Sequence, residues 1–372
     1  MQPVAIVPAS TRGLVREFVD VPYAIYAGHP HWVPPLRRDE HRRLSPAHNP
    51  FFEHADVELL LARRGDVITG RIASIDDRLH NDFHREAVTW FGFFEAADLE
   101  TARALVAAVE QRARDRGSAI VRGPANPSLN ESAGLLIDVF DEDPYILMPY
   151  NPPQYAGFLE AAGYTKAKDL LAWHIDLTVP VGARVAAVAD RVARRHDVKV
   201  RTVDLREFDR DFQILLSIYR AAWSDNWGFV PPTDAEMRQL AVDLRPVIDP
   251  ELVLFAEIGG GAVACAVAVP DLNQVLKRMR GRLLPFGILS FLRRSRIIDQ
   301  ARLLLLGVLP AAQRLGLYPL LIAEIHGRGV RRGIRRGELS WTLEDNVAIN
   351  AGIEAAGGRR YKTYRLYEKA IG

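Results

Sequence analysis

Between an apolar strand and the helix that follows it the chain reads VLPAAQRLGLYP, and these are the first residues whose spacing suits a charged ligand. A loop that runs into a helix N-terminus aims several unpaired N–H groups at one point, and the helix dipole favours an anion there. Gln313, Arg314 and Leu315 precede Gly316, a residue that lets backbone approach a phosphate closely. An ordinary strand-to-helix connection fits the same letters. The next strand ends in SWTLEDNVAIN, where Asp345 and Asn346 suit a helix N-cap and Glu344 places a carboxylate at the strand end. His29 and His31 in GHPHWVPP have no further ligands at metal spacing, so no metal is expected.

A second feature is electrostatic. Lys277, Arg278, Arg280, Arg282, Arg293, Arg294 and Arg296 fall between Asp271 and Asp299 with no acidic residue among them, and they bracket the apolar stretch LLPFGILSFL. Cationic flanks around aliphatic and aromatic residues suit an interfacial segment on anionic lipid. An acidic protein partner, a nucleic acid or a helix lying over the core are the other readings. Against nucleic acid stands a net charge of only +2.

The elements that must position these residues come in two similar series. Glu160, Ala161, Ala162, Gly163 and Lys168 recur as Glu354, Ala355, Ala356, Gly357 and Lys362, and Glu58, Leu59 and Leu61 recur as Glu251, Leu252 and Leu254 at nearly the same offset. Such self-similarity marks a duplicated domain, and 372 residues suit two domains. The first half reads as a strand, helix 11–27, hairpin 57–75 turning at Gly65 and Asp66, strand VTWFGFFEA, helix 99–116, strand AIVRG, helix 152–162 and strand AKDLLAWHIDL. Strand 198–204, two helices, a hairpin around Gly259 to Gly261, strand 301–309, helix 317–332, strand 338–343, helix 346–356 and strand RYKTYRLYEK repeat it. The expectation is an α/β fold of two tandem domains, 1–177 and 198–372, each a mixed central sheet flanked by helices, with a helical linker over 178–197 and the insertion at 274–298.

Cys265 is the single cysteine and sits in the apolar run AVACAVAV, as a small buried hydrophobe would. One cysteine suits a reducing cytoplasm, and the N-terminus lacks the regions of a signal peptide. With no uninterrupted apolar run of spanning length, a cytoplasmic protein is expected, peripheral on the inner membrane if the basic insertion meets lipid.

The order of elements in the second half resembles the GNAT acyltransferase superfamily, whose loop after the fourth strand has the pattern Gln/Arg-x-x-Gly-x-Gly/Ala. The resemblance implies that Val308, Leu309, Gln313, Arg314, Leu315, Gly316, Leu317 and Asn346 hold an acyl thioester of coenzyme A or of an acyl carrier protein. Tyr318 and Pro319 depart from the pattern. It also implies that Glu344 acts as base towards an amine. Ile353 stands where relatives carry the tyrosine that protonates the leaving thiolate, leaving Tyr361 or Tyr364 as the acid. Trp223, Asn226, Trp227 and Phe229 around NWGFVPPT would line the acceptor pocket, although a lid loop fits them too. The first half lacks a donor loop: Asp98 and Glu100 stand where a phosphate would sit. Its polar loop RGPANPSLNESAG carries Asn126 and Asn130 and leads to Tyr150 in MPYNPPQY, and this half is expected to be a scaffold or one wall of the acceptor cleft.

Along its whole length the chain is similar to a bacterial family of tandem GNAT-like proteins to which ceramide synthases belong. That resemblance implies N-acylation of a long-chain lipid amine, a sphingoid base. An aminoacyl-tRNA-dependent cell-wall transferase and a non-catalytic acyl-CoA or lipid sensor are the alternatives.

Overall fold

The computed structural model describes residues 2–224, 226–245, 247–282 and 287–372. The first half of the chain forms β1 (Ala5–Pro8), α1 (Arg12–Ile25), α2 (Arg37–Arg43), β2 (Ala55–Arg64), β3 (Val67–Asp77), α3 (Arg78–His84), β4 (Val88–Ala96), α4 (Leu99–Asp115), β5 (Ile120–Gly123), β6 (Ala125–Asn126), β7 (Ser132–Ala133), β8 (Leu135–Leu136), α5 (Gln154–Ala161) and β9 (Thr165–Asp176). The second forms α6 (Ala183–Arg195), β10 (Lys199–Thr202), α7 (Phe208–Trp223), α8 (Asp234–Leu244), β11 (Val253–Ile258), β12 (Gly261–Pro270), α9 (Asn273–Met279), α10 (Gly287–Leu292), α11 (Arg294–Ile297), β13 (Gln300–Val308), α12 (Leu317–Arg331), β14 (Arg336–Leu343), α13 (Val347–Ala355) and β15 (Arg359–Ala370).

Contacts divide the chain into two units: unit 1 holds residues 1–170, 276–289 and 363–372, and unit 2 holds 171–275 and 290–362. Pairing rather than sequence order sets these limits. In unit 1 the strands run β1-β2-β3-β4-β5-β15, with Tyr367 of β15 opposite Gly123 of β5. In unit 2 they run β14-β13-β12-β11-β10 with β9 beside β14, and the Leu177 N–H donates to the Arg335 carbonyl at 2.9 Å.

The hairpins expected at 57–75 and 251–269 are equivalent down to their irregularities. Leu60 pairs with Ile72 and Ala62 with Gly70, and then the register slips after Ala62. Leu254 pairs with Ala266 and Ala256 with Ala264, and the register slips after Ala256. A bulge is a local cost that bends a strand, and here it recurs at the same place in both hairpins.

Each sheet is covered by a helix with an apolar stripe. In unit 1, Leu105, Val106 and Val109 of α4 bury against Leu60, Ile72 and Phe91. In unit 2, Leu317, Leu320 and Leu321 of α12 bury against Leu254, Ala266 and Val308, and α6 adds Ala189 and Val192 to the same cluster. Spacing of three and four residues puts such side chains on one helix face, and each is worth roughly 1.5 to 3 kcal/mol.

The basic insertion begins with α9, whose Lys277 donates to Asp143 at 2.6 Å. Its part at 283–286 lies outside the described residues. Further on, Ile288, Leu289 and Leu292 of α10 are exposed, the last at 67%. Arg294 covers the Phe291 ring at 4.7 Å from its centroid. Among the described residues no helix is long and apolar enough to cross a membrane.

Candidate functional site

β13 and β14 run parallel but pair only over Gln300–Leu303 with Arg336–Leu339. β13 continues to Val308 and β14 to Leu343, so beyond Leu303 the facing edges part and leave a gap of unpaired backbone. Leu303, Leu304, Leu305 and Leu306 are only half-buried, although they lie in the middle of a sheet. Unpaired backbone next to an open apolar strand is what a linear, amide-containing ligand can use as a missing strand.

A slip in the β12 register between Val267 and Ala268 leaves Leu304 without a partner. The extra residue reverses the alternation of β13. Leu303 before the slip and Leu306 after it face α12, whereas Leu305 turns towards α7 and packs with Tyr219, Trp223, Phe229 and Met237. Contact there is close: a Cβ on Gly307 would lie 2.4 Å from the Trp223 ring. Trp223 and Phe229 therefore wall the strand that leads from the gap to the loop. Asn226 accepts the Phe229 N–H through its carbonyl at 3.1 Å and donates its own N–H to Trp223 at 2.9 Å, and half-buried Trp227 follows it in the same turn.

At the gap's open end, Pro310–Leu315 form a 3-10 turn and Gly316 adopts φ 79°, a left-handed conformation that favours glycine. No side chain caps α12 and its first turn carries no acidic residue. Gln313 and Arg314 are exposed, Leu315 and Gly316 half-buried, and Val308 and Leu317 buried. The Leu309 N–H is already given to Val263 at 2.9 Å. α6 comes close to the loop, since a Cβ on Gly316 would lie 3.1 Å from Val192 Cγ2.

At the closed end sits a polar cluster that sequence reading missed. Glu338 is fully buried and pairs in register with Arg302, itself 4% exposed. Arg302 Nε donates to Ser340 Oγ at 2.7 Å, Ser340 Oγ donates to Glu338 Oε1 at 2.5 Å, and the Tyr361 hydroxyl donates to Glu338 Oε2. His174 stands edge-on to Tyr361 with ring centroids 5.8 Å apart. A buried carboxylate that collects two hydroxyl donors and one guanidinium can accept a proton and hand it on through either hydroxyl. The signal was present in ARLLLLGVL and ELSWTL as single charged residues inside otherwise apolar strands, positions where charge is retained only when paired.

The structure brings Tyr361 into this cluster. It places Tyr364 elsewhere, fully buried in unit 1 opposite Leu136 of β8. Glu344 is half-buried, and its carbonyl accepts from Asn350 Nδ2 at 3.4 Å. Asn350 also accepts from Thr342 Oγ1 at 2.7 Å. Asn346 caps α13 by accepting the Ile349 N–H at 3.3 Å, and Ile353 packs in the core with Trp173 and Leu339.

Unit 1 has the same strand divergence and closes it with its own chain. β4 and β5 pair only over Val88–Trp90 with Ile120–Arg122. Asn126 Oδ1 then accepts the Phe93 N–H at 2.5 Å, a Cβ on Gly92 would lie 1.8 Å from the Ala125 carbonyl oxygen, and every residue of β4 is buried. Asp98 caps α4 through the Thr101 N–H at 2.8 Å, and Arg64 holds its carboxyl down at about 2. Asn126 is thus engaged in filling the gap; its carbonyl also accepts from Arg43. Asn130 is half-buried in the following loop, and the Tyr150 hydroxyl donates to the Phe140 carbonyl at 2.8 Å. Glu95, buried between Tyr26 at 2.8 Å and Tyr155 at 2.9 Å, is pushed up by desolvation to about 7. Among the described residues no three or more His, Cys, Asp or Glu side chains converge as a metal site would need.

Comparison with known proteins follows the same lines. No protein-family model matches the sequence. The chain is 37% identical to bacterial ceramide synthase of Caulobacter vibrioides (strain NA1000 / CB15N), over 99% of this chain and 97% of that protein. It is 33% identical to protein YghO of Escherichia coli (strain K12), over 97% and 96% of the two chains. Among solved structures, a tandem GNAT protein from the clavulanic acid biosynthesis pathway superposes with a TM-score of 0.59 at 14% identity, covering 99% of both chains, and shares the fold.

Proposed function

The chain belongs to the tandem GNAT-like acyltransferase family that includes bacterial ceramide synthase, and from that premise we propose that it moves an acyl group from a thioester to the amine of a long-chain, sphingoid-type base. The observation that carries the reading is the contrast between the two strand gaps. In unit 2 the central leucines of β13 are half-buried beside an uncapped helix N-terminus, while in unit 1 the equivalent strand is buried throughout and its helix is capped by Asp98.

In this reading the thioester lies along β13, with its phosphate at the Gln313–Leu317 turn and its carbonyl near the closed end of the gap. The acceptor ammonium loses one proton towards Glu338 by way of the Ser340 or Tyr361 hydroxyl. The free amine attacks the thioester carbon, the C–S bond breaks, and Tyr361 supplies the thiolate with a proton that Glu338 replaces. One proton remains to be released with each amide and thiol formed, so the cluster has to reach solvent between turnovers. Tyr361 takes the place of the acid missing at Ile353, and Glu344 is the alternative base.

Support for a lipid acceptor comes from the relative's name and from the exposed Ile288, Leu289 and Leu292 beside exposed Arg293 and Arg296. Such a face fits peripheral attachment to anionic lipid. Whether the donor thiol belongs to coenzyme A or to a carrier protein is tested by offering both. Thiol release that rises when a long-chain amine is added supports the proposal. Release that needs aminoacyl-tRNA, or binding of acyl-CoA with no release under any condition, would replace it with the cell-wall or the sensor reading.

A further inference from the structure

On the α12 face of the unit 2 sheet, directly beyond the closed end of the gap, lies a half-open apolar void of about 50 Å³. Leu303 and Leu339, the last paired residues of the diverging strands, form its near wall. Its floor is a patch of small residues on three neighbouring strands: Ala268, Ala301 and Gly337, the last two being register partners. Ile322 and Ile325 of α12 form the roof. His326 and Glu338 also border the void, but His326 Nε2 donates to the Val179 carbonyl oxygen at 3.0 Å and the Glu338 carboxylate accepts from Ser340 and Tyr361, so both polar edges are already used.

Interiors are close-packed, and a void in a core costs stability. Here the short side chains of Ala268 and Ala301 leave the space between the sheet and α12 unfilled. A void with almost no polar lining is a poor site for water and a good one for a hydrocarbon. Its position is specific as well: a thioester lying along β13 with its carbonyl at the closed end of the gap has its acyl carbons next to Leu303 and Leu339.

We infer that this void receives the acyl tail of the donor, so that chain length is measured between α12 and the sheet with Ile325 as the closing side chain. This rests on the reading of the unit 2 gap as the donor site. Tails longer than the void as it stands enter by rotation of Leu303 and Leu339, which pack in one apolar cluster with Ile175 and Ile322.

The test is a length series of acetyl, butyryl, octanoyl and palmitoyl thioesters with wild type, Ile325→Phe and Ile325→Ala. Filling the roof should move the preferred donor towards shorter chains, and truncating it should move the preference towards longer ones, each by roughly tenfold in the ratio of kcat/KM between neighbouring lengths. Thermal melting identifies a variant that merely misfolds, and opposite shifts from one position cannot arise from misfolding. Hydrogen exchange gives a readout without turnover: palmitoyl-CoA, but not coenzyme A alone, should protect residues 322–329. Transfer activity with identical length preference in all three proteins, and no added protection from the acyl chain, would overturn the inference while leaving the donor site intact. Absence of any thioester binding would instead remove the donor site itself, and this inference with it.

Discussion

Replacing the buried Arg302 and Glu338 singly and together tests the polar cluster on which the proposed chemistry depends. Glu338 has no exposed surface and Arg302 has 4%. Between them stand the Ser340 bridge, at 2.7 Å from Arg302 and 2.5 Å from Glu338, and a direct Nε to Oε1 separation of 3.7 Å. Removing one charge takes from the other its opposite charge in the sheet interior, which costs about 3 to 5 kcal/mol. Arg302→Met and Glu338→Leu should each fall in that range. If the two losses were independent they would add to about 6 to 10 kcal/mol. The double variant leaves neither charge behind and only takes the Glu338 acceptor from the Ser340 and Tyr361 hydroxyls, at about 1 to 3 kcal/mol in total if either turns to another acceptor. A coupling of at least about 3 kcal/mol is therefore expected from urea denaturation of the four proteins. Glu338→Gln, which keeps the shape and an acceptor for one hydroxyl, should lower kcat by about a hundredfold or more, and Tyr361→Phe by a similar factor. Additive stability losses would refute the paired cluster. A Glu338→Gln enzyme within a few-fold of wild type would remove its role in proton transfer.

At the donor turn, Gln313→Glu and Arg314→Glu should weaken acyl-CoA binding at least tenfold by calorimetry with little change in melting, because both side chains are exposed. Gly316 behaves differently: its φ of 79° and the nearby Val192 mean that Gly316→Ala should cost about 1 to 2 kcal/mol before any ligand is added. Glu95 in unit 1 is raised from 4.5 to about 7 by burial. Between those values the folded chain keeps a proton that the unfolded chain has lost, so this group's contribution is full below about pH 4.5 and declines as pH rises to about 7. The Glu95→Gln variant should accordingly gain on wild type by up to about 3 kcal/mol across that window, and parallel pH profiles would contradict the assignment. Wild type should co-sediment with anionic vesicles and be released by salt, since the charge attraction is screened over about 8 Å at physiological ionic strength. Leu292→Ser with Arg293→Gln and Arg296→Gln should abolish sedimentation yet spare turnover of a short, water-soluble amine.

The architecture was legible because the signals that fix it are periodic. Alternation in ELLLARRGDVITGRIAS and in ELVLFAEIGGGAVACAVAV set two hairpins, and the recurrent GluAlaAlaGly text tied the halves together. Pairing across long sequence distances left no such trace. Nothing local in RYKTYRLYEK says that Tyr364 to Ala370 pair with β8 and β5 in unit 1 while Tyr361 donates to Glu338 in unit 2. The turn proposed for the donor was read from its glycine and its place before a helix. Arg302 and Glu338 were passed over because each looks like an isolated charge until strand register sets them side by side. Asn126 shows the converse: its polar loop read as a ligand site, but its side chain takes the backbone N–H that closes the gap of unit 1.

The central claim, acyl transfer to a lipid amine in the open gap of unit 2, is tested most directly by mass spectrometry of the lipid fraction after incubation with a fatty-acyl thioester and an isotope-labelled long-chain base. A labelled product heavier by one acyl group, stable to mild alkali as an amide is, and formed about a hundredfold more slowly with Glu338→Gln is expected. Recovery of unmodified base alongside free fatty acid, or of an alkali-labile ester, would contradict it.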